Sequence, residues 1–321
     1  MVIYKFGGAS VKDAEGVKNL GNILINQKEA RIIVVSAFGK TTNNLEELTD
    51  AIYRNDKKKF HDQFIRLKDY HFSILRELFK ENEHIYREVE DIFGGINRSF
   101  SETWDRNDYL YDQIVCLGEI LSTKIISAYL NSRHFDCRWV DIRKNLITDA
   151  IFREASVHWE SSKKRISKNF QPAGEKTIIT QGFIGGTYDG ASTTLGREGS
   201  DYSAAILANM LEAEKLVVWK DVAGVMNADP RYFQNVSKLD KISFKPLQNK
   251  KIPLYVKSFL EPDKEGTLIG EYNRYDEDKP IYILKKDQIL ISVLPRDFSF
   301  VFEETLSNIY RLFAKYRIKV N

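Results

Sequence analysis

Cysteine is scarce in this chain: only Cys116 and Cys137 occur, and they form no C-x-x-C pattern. That is too little for a secreted scaffold stapled by disulfides. No uninterrupted apolar run approaches membrane-spanning length, and the N-terminus enters a strand pattern without a leader-like segment. A reducing cytoplasm is the expectation. An excess of one charge is also missing, since 48 basic side chains face 45 acidic ones for a net +3. The clusters Lys57-Lys58-Lys59 and Lys163-Lys164-Arg165 are short and mixed, and read as solvated helix faces rather than a nucleic-acid surface.

Several catalytic signatures are absent as well. His61, His71, His84, His134 and His158 show no H-E-x-x-H or other ligand spacing, so a zinc site has no support. There is no G-x-S-x-G elbow for a serine hydrolase and no G-x-x-x-x-G-K-S/T loop of the Walker type. Hydrolytic readings fall away.

What is present is a soluble globular composition, 43% apolar and 29% charged over 321 residues, enough for one large domain or two ordinary ones. Strand-like runs occur at Val2–Tyr4, Ile32–Val35, Arg138–Val140, Thr177–Thr180, Leu216–Trp219 and Ile252–Val256. Between them lie helical spacings: Val11, Ala14, Val17, Leu20 and Leu24 share one face, as do Ile114, Leu117, Leu121 and Ile125. Strands alternating with helices predict an α/β fold with a mostly parallel sheet covered on both faces.

Residues 45–110 are polar and helix-rich, with Phe64, Leu67, Phe72, Leu75 and Leu78 at helical intervals. A helical insertion packing on the sheet domain is expected, with no chemistry of its own. The end, "ILISVLPRDFSFVFEETLSNIYRLFAKYRIKVN", reads as strand, turn, amphipathic helix and the start of another strand. Such a unit cannot cover its own apolar surface, and resembles the front of a second domain.

Four glycine- or acid-bearing segments follow strands. In "MVIYKFGGAS", Lys5 precedes Gly7-Gly8 at a strand–turn–helix junction, where backbone N–H groups and an ammonium could meet phosphate oxygens. Alone, it reads equally as a plain turn with a surface lysine. "VVSAFGKTTNNL" brings Ser36, Gly39 and Thr42 after the next strand, and serves as well for an ordinary capped helix start. "TQGFIGGTYDGASTTLGREGSDYSAAILANML" is a long connection rich in glycine and hydroxyls, with Arg197 and Asp201 flanking Gly199-Ser200 at a helix start near Ser200. "VVWKDVAGVMNADPR" carries Asp221, Gly224, Asn227, Asp229 and Arg231 after a fourth strand. In a parallel sheet these loops line one edge, so together they describe a crevice for phosphoryl groups and a small anion.

The segments "KFGGAS", "VVSAFGKTTN", "LGEILS", "TQGFIGGT", "TTLGREGSDYSAA" and "DVAGVMNADPR" stand in the order found in the aspartokinases, and the chain resembles that branch of the amino acid kinase family up to about residue 270. The resemblance implies a three-layer α/β/α sandwich over residues 1–280, the amino acid kinase fold, and from 281 to 321 the start of an ACT-like α+β regulatory domain. It implies transfer of a phosphoryl group from ATP, with Mg2+, to the side-chain carboxylate of L-aspartate, the entry step to lysine, threonine and methionine synthesis. A carboxylate is already ionised at neutral pH, so such a reaction needs positioning and cations rather than a base.

By the same resemblance Lys5 faces the β/γ-phosphates, with Gly7, Gly8 and Ser36 as phosphate-loop contacts. Thr42, Glu119, Phe183, Arg197, Ser200 and Asp201 match positions that hold aspartate or order the lysine, and Asp221 and Arg231 match nucleotide contacts. A planar guanidinium at Arg197 suits a carboxylate, and Glu119 suits an ammonium, although a glutamate on an amphipathic helix can equally be a solvated one. An amino acid effector, lysine or threonine, acting through the ACT-like region and a homodimer are further implications.

The chain departs from the family pattern at Ala9, Glu198, Lys220 and Met226, where relatives carry threonine, glycine, threonine and tyrosine. It also lacks a glycine-alanine-lysine-valine-x-histidine-proline motif between Phe244 and Lys245, where a lost segment is expected; a continuous backbone there implies an impaired kinase. Other readings are a glutamate or acetylglutamate kinase and a non-catalytic amino acid sensor of the same fold.

Overall fold

The computed structural model describes residues 1–25, 29, 31–80, 83–100, 107–171, 177–196, 199–222, 224–228, 232, 233, 236, 241–243, 250–270, 282, 289, 303–316 and 318. The chain forms two compact units, Met1–Ile281 and Tyr282–Asn321.

In the first unit the strands are β1 (Val2–Phe6), β2 (Arg31–Val35), β3 (Cys137–Trp139), β4 (Thr177–Gln181), β5 (Ile184–Gly186), β6 (Ser192–Thr194), β7 (Lys215–Lys220), β8 (Lys241–Ser243), β9 (Leu254–Ser258) and β10 (Thr267–Gly270). The helices are α1 (Ala14–Ile25), α2 (Thr41–Tyr53), α3 (Lys57–Leu78), α4 (His84–Phe100), α5 (Asp108–Val115), α6 (Leu117–Ser132), α7 (Trp159–Asn169) and α8 (Gly199–Met210). The main sheet runs β3-β4-β2-β1-β7-β9-β10-β8. Neighbours are parallel throughout, except that β9 and β10 are antiparallel.

Strands such as VIYKF and RIIVV are buried along their whole length because helices cover both faces. Alternation sorts their side chains into two cores. Tyr4, Phe6 and Trp219 pack with Val17, Leu20 and Leu24 of α1 and with apolar residues of α2 to α6. Ile3, Val34, Ile178 and Val218 pack on the other face with Ile166 of α7 and Ile206 and Leu207 of α8. The result is the three-layer sandwich with a mainly parallel sheet that the pattern predicts. Within the 45–110 stretch, Leu67 and Leu75 are buried in the first of these cores, with Phe64, Phe72 and Leu78 packed against it.

Two details differ from the sequence pattern. The glycine-rich connection after β4 contains an antiparallel hairpin, β5–β6, closed through Thr187 and Asp189-Gly190, whose Gly190 takes φ 93°. Its short strands and small residues hide the alternation that marks a strand. The face shared by Ile114 and Leu121 spans two helices, since α5 ends at Val115 and α6 begins at Leu117. End to end, Asp108–Ser132 is 25 residues, long and apolar enough by composition to cross a bilayer, yet most of it is buried inside the protein as a core helix.

In the second unit the described helix is α9 (Glu303–Lys315). The strands expected beside it lie outside the described residues apart from isolated positions, as do Phe244 and Lys245, which the sequence joins directly.

Candidate active site

The parallel neighbours β4, β2, β1 and β7 end along one edge of the sheet, and the loops leaving them converge there. The Ser36 N–H donates to Phe6 O at 3.2 Å, the Gly39 N–H to Gly8 O at 3.0 Å, and the Gly182 N–H to Val35 O at 3.0 Å. These bonds lock three strand ends together. A Cβ on Gly8 would come within 2.5 Å of Ala37 O, so only glycine lets the first two loops meet this closely. A Cβ on Gly182 would lie 2.7 Å from the Ser200 Cβ, which places Ser200, in the first turn of α8, directly against the end of β4.

Lys5 follows the pleat of β1 to the face covered by α8, and it is 5% exposed. Its Nζ lies 2.6 Å from Asp201 Oδ1 in the first turn of α8. Lys220, the last residue of β7, reaches the other carboxylate oxygen: Nζ to Asp201 Oδ2 is 3.0 Å. Burial pushes the Lys5 pKa down, against the pull of Asp201. Burial also works to raise Asp201, but Lys5 and Lys220 together hold its carboxyl below the usual range. Asp201 is therefore an anchored anion between two ammoniums.

Glu119, in the first turn of α6, is not the solvated glutamate that helix amphipathicity allows, because it is 2% exposed. The Ala37 N–H donates to Oε1 at 3.1 Å, while Oε2 is buried with no hydrogen-bond partner. Desolvation pushes its pKa up to about 8, partly offset by Ala37. A buried, half-satisfied carboxyl beside the strand-end loops is a receptor for a cation or a donor. One helical turn on, the Ser122 hydroxyl donates to Ser36 O at 2.9 Å, fixing the loop after β2 on α6.

The other predicted residues distribute as follows. Gly7 lies in the turn after β1 with Lys5 Nζ close by, and Thr42 is half-buried in the first turn of α2. Phe183 follows β4 at φ 67°, and its N–H donates to Ser203 Oγ of α8 at 2.9 Å. A bulky residue held at positive φ is strained and marks an over-determined loop. Asp221 is exposed at the end of β7. Arg197, Glu198, Asp229 and Arg231 lie outside the described residues.

Sequence reasoning missed several supports. Buried Asp112 of α5 accepts from the Thr194 N–H and hydroxyl, each at 2.8 Å, and from the Arg153 N–H at 2.9 Å, tying down the strand that leads toward α8. Tyr70 of α3 donates to Lys12 O, and buried His71 sits 3.5 Å from the Thr41 hydroxyl, so the helical stretch braces the first two glycine turns. Lys220 stands out in the sequence only as a departure from the family pattern. Its partner Asp201 on α8 lies 19 residues earlier, and only the fold shows that the two meet.

The sequence pattern that defines the Amino acid kinase family matches residues 1–261. The chain belongs to that family. Among members, it is 29% identical over 319 residues to the lysine-sensitive aspartokinase 3 of Escherichia coli, covering 91% of this chain and 69% of that one. To aspartokinase 1, chloroplastic, of Arabidopsis thaliana it is 31% identical over 301 residues, 83% of this chain but only 51% of the relative. The chain thus spans about half the length of that plant enzyme. The crystal structure of E. coli aspartokinase III in complex with aspartate and ADP superposes with a TM-score of 0.83 at 26% identity, covering 100% of this chain and 75% of that one. The same enzyme in complex with lysine and aspartate gives 0.77 at 26% identity, over 100% of this chain and 76% of that one. The aspartokinase resemblance read from the motifs is therefore supported over the described fold as well as the sequence.

Proposed function

We propose that this chain transfers the terminal phosphoryl group of ATP to the side-chain carboxylate of L-aspartate, giving 4-phospho-L-aspartate. The observation that carries the reading is the meeting of Lys5, Asp201 and Lys220 at the edge where four parallel strands end, beside the half-satisfied carboxyl of Glu119. The relative bound to aspartate and ADP is similar in fold to this chain.

Each group has a task that follows from its chemistry. Lys5, held by Asp201, offers a buried ammonium to phosphate oxygens; Gly7, Gly8 and Ser36 bring the strand-end loops close to them. Glu119 takes the substrate ammonium, which supplies the missing partner of Oε2 and draws its proton off. Thr42, Phe183 and Ser200 take the aspartate, and the motif resemblance alone assigns Arg197 to a substrate carboxylate. Asp221, exposed just beyond β7, takes the nucleotide, a role the motif resemblance also assigns to Arg231. The attacking carboxylate is ionised at neutral pH, so the site aligns it and balances charge on the transferring group.

Mg2+ fits as a companion of ATP rather than as a resident ion. Asp201 is engaged by two ammoniums, and no group of three or more His, Cys, Asp or Glu able to hold a metal occurs among the described residues. Phosphate oxygens would be its main ligands, with the exposed Asp221 carboxylate at hand. When bound, it neutralises charge on the phosphates.

Regulation by lysine or threonine through residues 281–321, and a homodimer, belong to the same proposal. The support is that α9 leaves Leu306, Tyr310 and Leu312 exposed, as a helix awaiting a partner does. The test of the catalytic reading is ADP release that requires both L-aspartate and Mg-ATP and collapses in Lys5→Ala while the protein stays folded. Equal turnover with L-glutamate would replace the substrate assignment. ATP binding without turnover would make the protein a sensor.

A further inference from the structure

The pairing of β1 with β7 sets Lys5 opposite Val218. Because side chains alternate, Lys220, two residues beyond Val218, projects to the same face of the sheet as Lys5, one pleat further toward the edge where the loops converge. That face is the one α8 covers, with Ile3 and Val218 packed beneath Ala204 and Leu207. The first turn of α8 therefore sits over both lysines, and a single carboxylate, Asp201, meets both.

One carboxylate cannot neutralise two ammoniums, so the cluster keeps a positive surplus. The second nearby acid, Glu119, is desolvated and holds its proton until something pairs with Oε2. The two lysines are also unequal. The Lys5 side chain is 6% exposed and sits 2.6 Å from Asp201, while that of Lys220 is 39% exposed at 3.0 Å. Exposed ion pairs exchange partners at little cost, whereas a buried lysine that loses its carboxylate is left uncompensated. The surplus charge is thus carried by the residue that is free to swing toward solvent, next to the backbone N–H groups that open α8.

We propose that Lys220 is a second phosphate-binding cation of this site: it leaves Asp201 to contact the polyphosphate of the nucleotide while Lys5 stays anchored. This rests on the nucleotide reading above and adds to it a residue and a motion. Lys220 then serves nucleotide affinity, and aspartate affinity does not depend on it.

The test uses the full chain with Lys220→Ala, Lys220→Met and Lys220→Arg, and titrates Mg-ADP by calorimetry alongside KM for aspartate. A charge-assisted hydrogen bond to phosphate predicts that the Ala and Met variants raise the Kd for ADP about 10- to 100-fold and flatten its dependence on salt. Lys220→Arg should recover to within about fivefold, with aspartate KM changed by less than about twofold in all three. An unchanged ADP Kd and salt slope in both Ala and Met variants, in a wild type that phosphorylates aspartate, would overturn the Lys220 assignment alone and leave it a surface ion pair. A wild type that binds no ADP would overturn the nucleotide reading together with it.

Discussion

The Lys5 ammonium lies 2.6 Å from Asp201 Oδ1, joining the centre of the sheet to the first turn of α8. This contact orients the one buried lysine of the candidate site toward the loops. Lys5→Ala should lower kcat by about two to three orders of magnitude, the usual cost of removing one preorganised charge from a transferring group, with KM for aspartate changed far less. Steady-state kinetics and a thermal melt on the same sample check it.

Asp201→Asn leaves Lys5 buried without its counter-charge. The Lys5 pKa is already pulled down by burial, and Asp201 is what opposes that pull. The variant should lose activity toward lower pH values than wild type does at its alkaline limb, because its lysine deprotonates sooner. The pH profile of kcat/KM measures the shift. An unchanged alkaline limb would contradict the role given to the pair.

Glu119 makes a stability prediction with a definite sign. Its carboxyl is raised from 4.5 to about 8 by burial, so the folded state holds a proton that the unfolded state has lost between those values. Stability from this group is present below the unfolded value and is lost as pH rises toward 8. Glu119→Gln should therefore melt higher than wild type near pH 8 while binding aspartate at least tenfold more weakly, since the charge that meets the ammonium is gone. Melting curves across pH 5 to 9 and aspartate titrations at about pH 8 test both halves.

Much of the fold and part of the site are legible in the sequence. Ile3 and Tyr4 alternate between cores, and Val17, Leu20 and Leu24 recur at helical spacing, so the layers follow from periodicity. Lys5 stands near the end of β1, Gly8, Ser36, Phe183 and Asp221 follow strands, and a parallel sheet gathers strand ends on one edge. Burial of Glu119 is not legible, because the apolar spacing of Ile114, Leu117, Leu121 and Ile125 marks one face and does not show that α6 is enclosed on nearly all sides, with the loop after β2 closing over its first turn. Nor is the Lys220–Asp201 pair, which needs the register of β7 against β1 and the place of α8 above them. Nothing near Asp112 in the sequence sets it apart, because the β5–β6 hairpin that donates to it lies 82 residues on at Thr194.

That hairpin gives a further prediction. Asp112→Ala strands the N–H groups of Thr194 and Arg153 in the interior, and should cost about 2–4 kcal/mol of stability. Asp112→Asn keeps an acceptor oxygen for them, and should cost about 1 kcal/mol or less. Chemical denaturation of both variants distinguishes the two, and equal losses would show that charge rather than acceptor geometry holds the strand.

Gly8→Ala should be poorly tolerated, since its new methyl would meet Ala37 O at 2.5 Å and push the first two loops apart. A cost of about 1–3 kcal/mol and a rise in nucleotide KM are expected from such overpacking. Thermal melts with and without Mg-ADP measure both.

The most direct measurement is of the product itself. Purified protein given Mg-ATP and L-aspartate, with hydroxylamine present to trap an acyl phosphate, should form aspartyl hydroxamate in proportion to ADP, and Lys5→Ala should form almost none. ATP consumption without hydroxamate, or equal product in the folded Lys5→Ala variant, would contradict carboxyl phosphorylation at this site.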